Sequence, residues 1–237
     1  MGQSFFIWKD RDCRSMGIFL RGPVPIVRPE ERVQHITIPG ASGDLTETEG
    51  ESIYNSYIQT VSMSVRDAWR VREVYQWLRG AGYVTFSGEP DRRQQARVIG
   101  AITLNRHSRN VDHWEGEAQF YCQPLKEKLR EETQTITESR TNIRNSGDVI
   151  AKPLIRAVPD MSIMGITLGG KNLIVNGLTS GEAIWIDSRT CEIMNADRSV
   201  LLTKNSTGEF PQLMPGDNEI LFAGASEIEI RKRERFL

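Results

Sequence analysis

Histidines, paired carboxylates, a glycine-rich turn and an isolated tryptophan are the features of this sequence that could carry chemistry. His35, His107 and His113 are its three histidines, and all lie in the first half. His107 and His113 stand six apart across a polar stretch, a spacing that matches no common metal-ligand pattern, and no cysteine lies near them in sequence. They read as ordinary strand or surface histidines. Glu115 and Glu117 share one face of a strand, about 7 Å apart, and two carboxylates invite glycoside hydrolysis. Glu alternating along a half-buried strand is more commonly its solvated face. Ser42 in Gly40-Ala41-Ser42-Gly43 falls short of a nucleophile elbow, and no GxSxG occurs, although triads assemble in space and spacing leaves them open. Gly165, Gly169, Gly170 and Lys171 lack the spacing and following helix of a phosphate loop and read as a hairpin turn. Trp185, in Ile184-Trp185-Ile186-Asp187, could stack on a sugar ring, although a strand tryptophan more often packs. No catalytic, cofactor-binding or metal-binding residue is expected.

Composition narrows the function classes. A chain of 237 residues can form one large β domain or two ordinary ones with real cores. Its formal net charge is -1, and the first 135 residues carry 18 basic and 18 acidic side chains, so neither half has the positive field of a nucleic-acid binder. No apolar run approaches the roughly 20 residues that cross a bilayer. Lys9, Asp10, Arg11, Asp12 and Arg14 stand where a signal peptide would be apolar, so synthesis and folding in a cytoplasm are expected. Cys13, Cys122 and Cys191 are odd in number and far apart, which fits reduced thiols.

The elements that must position these residues are mostly strands, organised around one exception. Val71, Val74, Tyr75 and Leu78 recur at i, i+3, i+4 and i+7 within residues 66–80, one face of an amphipathic helix, with Arg66, Arg70, Arg72, Glu73 and Arg79 mostly on the wet side. Asp67 is placed to cap its start, and Gly80 and Gly82 to end it. Trp69 and Trp77, eight apart, widen the apolar face, so the helix reads as a lid over a sheet. Strands are expected over 5–8, 17–20, 33–38, 61–65, 83–86, 97–104 and 114–122. In the last, Trp114, Gly116, Ala118, Phe120 and Cys122 alternate with Glu115, Glu117, Gln119 and Tyr121. Gly40 and Gly43 mark a turn, followed by an acidic loop over 46–51.

The second half offers strands over 153–158, 162–168, 172–176, 183–187, 192–195, 219–222 and 227–231, with turn residues between most of them. That spacing predicts a two-sheet antiparallel sandwich of about 100 residues. The Thr-rich stretch 133–141 reads as a polar crossing, which sets a boundary near Thr135 and domains of 1–135 and 136–237. The fold class is therefore mainly β: an N-terminal β-rich domain with one α-helix, then an antiparallel β-sandwich.

In this order the features resemble the distal tail protein family of long-tailed phages that infect Gram-positive bacteria. The residues that carry the resemblance are Gly17-Ile18, Ile38-Pro39-Gly40 with Gly43-Asp44-Leu45, the helix closing on Trp77-Leu78, Gly82-Tyr83 leading to Glu89-Pro90, and Phe120-Tyr121-Cys122-Gln123-Pro124. Asn145-Ser146-Gly147 with Lys152-Pro153, and Leu213-Met214-Pro215-Gly216-Asp217-Asn218, continue it through the second half. The resemblance implies a first domain with sheets, one helix and a protruding hairpin, six copies of which form a ring, and a galectin-like second domain outside it. It implies a homo-hexamer at the virion tail tip, between tail tube protein and baseplate hub, with DNA only in transit through the lumen. Tape-measure and receptor-binding proteins would be further partners; catalysis, cofactors and a membrane would have no part. Ala41 stands where the family's Pro-Gly is usually followed by a basic residue. The stretch between Leu168 and Leu213 is short for the arm with which some members hold receptor-binding proteins.

For the ring contact, opposite charges offer themselves: Arg92, Arg93, Arg97, Arg106 and Arg109 against Asp44, Glu47, Glu49 and Glu51. The alternative from another class is a carbohydrate-binding β-sandwich module acting in cell-wall recognition, with Trp185 as its stacking platform. The absence of histidine from the second half counts against a galectin-type sugar site.

Overall fold

The strand Val111–Lys128 is the spine around which the first unit is built. Ala118, Phe120 and Cys122 point inward while Glu117, Gln119 and Tyr121 are exposed, the alternation expected of a strand with one wet face. Tyr57–Arg66 runs antiparallel along one side of it. Arg92–Ile99 takes the C-terminal half of the other side and Leu104–Ser108 the N-terminal half. The sheet continues outward through Ala81–Phe86, Phe6–Trp8 and Arg11–Asp12 at one edge, and Ile18–Leu20 at the other. The computed structural model describes residues 4–48, 50, 53–108 and 111–237, so Glu49, Glu51 and Arg109 lie outside the described residues.

Local chemistry explains where these strands break. Pro124 has no N–H to give a ladder, and the register against Arg92–Ile99 shifts between Cys122 and Lys126. The continuous strand expected over 97–104 is two: Gly100, at φ 70, ends the first at Ile99, and the second begins at Leu104. The acidic segment expected as a loop over 46–51 begins instead as a strand, Asp44–Thr48, which pairs with Val33–Thr37 in a two-stranded hairpin.

The helix spans Ala68–Trp77, shorter at both ends than the 66–80 stretch. Val74 and, just past the end, Leu78 are buried, while Val71 and Trp77 pack half-buried against the core. Beneath them lies an aromatic cluster: Phe6 stacks on Trp77 at 5.6 Å and meets Phe120 edge-on at 5.4 Å, and Trp8 and Phe86 meet Phe120 at 5.4 and 5.7 Å. Trp8 Nε1 donates to the Trp77 carbonyl at 3.2 Å, fastening the lid. Trp69 does not join this face. Eight residues carry it about 80° around the axis from Trp77, and it stays 60% exposed beside Arg70. Asp67 does not cap the helix either, since its side chain makes no cap hydrogen bond; Asp112 of the spine strand accepts from the Ala68 N–H at 2.8 Å instead.

The chain passes to a second unit after Leu129, a few residues before Thr135. The polar crossing expected over 133–141 is absorbed into that unit: Thr133–Ile136 pairs with Ala225–Arg231, and Arg140–Asn145 with Gly216–Ala223. Two five-stranded antiparallel sheets result. One orders Thr133–Ile136, Ala225–Arg231, Leu154–Pro159, Ile184–Asp187 and Glu192–Asn195; the other orders Arg140–Asn145, Gly216–Ala223, Ile163–Leu168, Lys171–Asn176 and Ser206–Gly208. Ile155, Ile186, Ile228 and Ile230 from the first sheet meet Ile166, Leu168, Leu173 and Ile220 from the second in one core. Gly169 and Gly170, at φ 61 and 74, form the tight turn between Ile163–Leu168 and Lys171–Asn176, a hairpin as expected.

Candidate assembly surface

The hairpin Val33–Thr37 with Asp44–Thr48 is the least self-sufficient element of the chain. Its base is anchored where the Arg32 N–H donates to the Ile53 carbonyl and the Asn55 N–H to the Glu30 carbonyl, both at 2.8 Å. Beyond that base the two strands pair with each other and, among the described residues, with no further strand. One face is polar and satisfied within the hairpin: Thr37 Oγ1 donates to Asp44 Oδ1 at 2.9 Å, and His35 Nδ1 lies 3.1 Å from Thr46 Oγ1. The other face carries the cross-strand pair Ile36 and Leu45, with Ile38 beyond it and the pair Gln34 and Glu47 before it. Ile36, Ile38 and Leu45 are 42%, 46% and 47% exposed. A two-stranded ribbon with a bare apolar face is marginal in water, so this one has the make-up of a docking element.

The outer face of the large sheet divides in two. Towards the N-terminal end of the spine strand it is charged. Glu115 receives Arg21 Nη1 at 2.6 Å, His113 Nε2 lies 3.1 Å away and His107 Nδ1 3.4 Å away. Desolvation raises the Glu115 carboxyl, but the His113 hydrogen bond and the Arg21 charge outweigh it and hold the group below the usual carboxylate range. Glu117, its neighbour on the same face, accepts from Ser62 Oγ at 3.0 Å. The two glutamates therefore sit side by side on one strand, each tied to other side chains, and do not face each other across a cleft. His107 and His113 come together edge-on at 5.9 Å, a pairing their spacing did not advertise. Towards the other end the face turns apolar: Ile58, 53% exposed, pairs across strands with Tyr121, 41% exposed, and Tyr121 with Arg97.

The arginines singled out in the sequence are unequally placed. Arg92 is held by Glu89 at 2.8 Å. Arg93 lies 3.7 Å from Glu127 and stacks 4.4 Å over Tyr83. Both line a cavity of about 20 Å³ with Gln94 and Lys126, room for a single water. Arg97 stands exposed on the outer face. Asp44 and Glu47 are on the hairpin, exposed. In the second unit Trp185 has Arg198 over its ring at 4.0 Å and donates from Nε1 to the Ala196 carbonyl at 3.1 Å, so a sugar stacking on that face would displace the guanidinium. Spacing alone does not mark Ile36, Leu45, Ile58 and Tyr121 as surface apolar residues. Their signal was period-2 alternation with polar neighbours, which says only that one face is apolar and leaves open whether the chain itself covers it.

No family model and no curated protein matches the chain. Among solved structures, it is similar to the crystal structure of the SPP1 Dit (gp 19.1) protein, described as a paradigm of the hub adsorption apparatus in phages infecting Gram-positive bacteria. The TM-score is 0.80 at 19% identity, and the match covers 100% of both chains. The two proteins share one fold from end to end, mainly β with one helix-bearing unit and one sandwich.

Proposed function

We propose that this chain is a structural component of the tip of a long non-contractile phage tail, and that six copies close into a ring joining the tail tube to the baseplate hub around a channel for DNA. The observation that carries this reading is the end-to-end likeness to a phage hub protein at a TM-score of 0.80. The bare hairpin supports it, because a surface on one copy that fits a different surface on the next generates a closed ring when the rotation allows. The role is non-catalytic: the titratable groups that converge, Glu115 with Arg21, His107 and His113, are tied to one another. Tail tube protein and hub protein are its partners in the virion tail, with tape-measure protein a further candidate, and the short stretch between Leu168 and Leu213 argues against a direct hold on receptor-binding proteins. Asp44 and Glu47, with Glu49 beyond the described residues, supply the acidic side of the ring contact, and Arg97 the basic side; Arg92 and Arg93 already have carboxylates in their own chain. The test is native mass spectrometry and electron microscopy of the full chain, alone and mixed with the tube and hub proteins encoded beside it. Six-membered rings are expected. A chain that stays monomeric with both partners present overturns the reading.

A further inference from the structure

The second unit carries an open groove of about 700 Å³, walled by segments 177–184 and 195–202. Both walls are braced by backbone hydrogen bonds. The Leu178 and Gly181 N–H groups donate to the Ser162 and Pro159 carbonyls at 3.0 and 2.8 Å, and the Asn195 and Arg198 N–H groups donate to the Val200 and Asn195 carbonyls at 3.1 and 3.0 Å. The groove is thus formed before anything enters it, which spares a ligand the cost of ordering it. Leu178, Ile184, Leu202 and the exposed Val200 give it an apolar lining, into which Glu182 and Asp197 bring two exposed carboxylates. Asp197 accepts from Ser199 Oγ at 2.7 Å and from the Ser199 N–H at 3.1 Å, which holds its carboxyl below the usual carboxylate range and so charged at neutral pH. Among the described residues neither carboxylate has a basic partner, and Arg156, the base in the lining, is already held by Glu229 at 3.0 Å.

The adjoining tryptophan is an independent pointer to the ligand. Trp185 pairs across strands with Arg156 and donates from Nε1 to the Ala196 carbonyl, both groove residues, and its ring holds the Arg198 guanidinium at 4.0 Å. Arg198 does so from φ 60, a left-handed conformation that residues with a side chain rarely adopt. This corner of the fold therefore already attracts a guanidinium from its own chain.

We propose that the groove binds an arginine side chain displayed on an aliphatic segment of a partner protein, with Arg198 as the resident stand-in for the incoming guanidinium. The segment lays its aliphatic side chains on Leu178, Ile184, Val200 and Leu202, and Glu182 and Asp197 meet its positive charge. Charge and shape set the class. Two unpaired carboxylates repel an acidic or phosphorylated ligand, and a tryptophan already covered offers a neutral sugar no platform. A lysine would satisfy the charge but not the planar stacking that Arg198 displays. The site belongs wholly to the second unit, so it stands whether or not the first unit closes into a ring.

Two-dimensional NMR of the isotope-labelled full chain tests it, with the Trp185 indole signal assigned by its loss in Trp185→Phe. The probe is the capped peptide acetyl-Leu-Arg-Leu-amide. Its controls are a twin with citrulline, which keeps the shape of arginine without the charge, a twin with glutamate, and maltotriose as a neutral sugar. The arginine peptide should shift the Trp185 indole and the amides of segments 177–184 and 195–202 saturably, and leave the indoles of Trp8, Trp69, Trp77 and Trp114 in place. The citrulline twin should bind about tenfold more weakly, and the glutamate twin and maltotriose should move nothing. Glu182→Gln and Asp197→Asn, both at exposed positions, should each weaken binding about threefold and together about tenfold; Asn keeps an acceptor for the Ser199 N–H, so the loop holds. Arg198→Asn removes the stand-in and suits φ 60, so it should tighten binding about threefold. No saturable shift at millimolar peptide, equal binding of the citrulline twin, or affinity untouched by the double carboxylate variant overturns the proposal. Maltotriose moving the same signals in place of the peptide also overturns it and makes the groove a sugar site.

Discussion

Asn145 is 1% exposed, yet it is polar on every free atom, and each has a task. Its Nδ2 donates to the Val149 and Leu213 carbonyls at 3.2 and 3.1 Å, and its Oδ1 accepts from the Gly147 N–H at 2.9 Å. Asn218 works alike on the turn before Gly216–Ala223, accepting from the Met214 N–H at 2.8 Å and donating to the Met214 and Gly216 carbonyls. These are two of the motif residues on which the family resemblance rested, and their part is to fix loops. Asn145→Ala leaves the Val149 carbonyl and the Gly147 N–H short of a partner, which should cost about 2–3 kcal/mol, read as a lower urea midpoint of the second unit. A second residue-level effect is acid sensitivity. Desolvation raises the Asp187 carboxyl, but the forked pairing with Arg233 at 2.6 and 3.0 Å and the Arg189 N–H outweigh it and leave the group below its ordinary range. A folded value below the unfolded one, about 3.9, gives stability that is present above that pH and fades as pH falls through the folded value. Urea midpoints from pH 6 down to pH 2 should therefore fall less steeply for Arg233→Met than for the native chain, the variant being the less stable of the two near neutrality. Parallel curves would remove this pair from the account.

At the scale of elements, what the sequence discloses depends on who covers a face. Some strands of the sandwich are legible nearly to the residue, since 192–195 is Glu192–Asn195 and 172–176 is Lys171–Asn176 less one residue, because aliphatic residues alternate where both sheets press on one core; 219–222, by contrast, is only half of Gly216–Ala223, and Ser206–Gly208 carries no such signal. Arg140–Asn145 is hard to read in the sequence because its inward residues are Thr141, Ile143 and the buried Asn145, two of the three polar. The helix was legible from Val71, Val74 and Leu78, but its cap was not, since the cap comes from a residue 44 positions away in Asp112. Asp67, the residue the local pattern favours, sits at φ 73 in a conformation suited to glycine, while its own N–H donates to the Asp112 carbonyl at 3.2 Å. The two aspartates should therefore respond oppositely. Asp112→Ala removes the cap and lowers the thermal midpoint of the first unit by about 3 °C; Asp67→Gly relieves backbone strain and stabilises it by about 1 kcal/mol. Differential scanning calorimetry of both variants decides between local and distant capping, and a destabilised Asp67→Gly would return the cap to the local residue. The hairpin lies at the far end of legibility: Ile36 and Ile38 resemble any strand's core residues, and only the fold reveals that they stay 42% and 46% exposed.

For the molecule as a whole, the two cores close separately, and this governs how the chain should fail. The first is made from residues between Phe6 and Cys122, the second from residues between Ile136 and Ile230, with no member in common. Each is large enough for a cooperative domain, and the charged outer surfaces contribute little to either. Because the two cores have no residue in common, damage to one core should not spread to the other. Phe120 is fully buried and touches Phe6, Trp8 and Phe86, which makes Phe120→Ala a cavity at the centre of the first core, worth about 3–5 kcal/mol. Asn145→Ala strikes only the second. Calorimetry of the full chain and the two variants should resolve two transitions, with Phe120→Ala moving one and Asn145→Ala the other. If the proposed assembly is made by the first unit, the first variant should also lose it, while the second should keep it. One transition shifted by both substitutions would mean that the units fold as a single cooperative body, and the account of two separately closing cores would have to be abandoned.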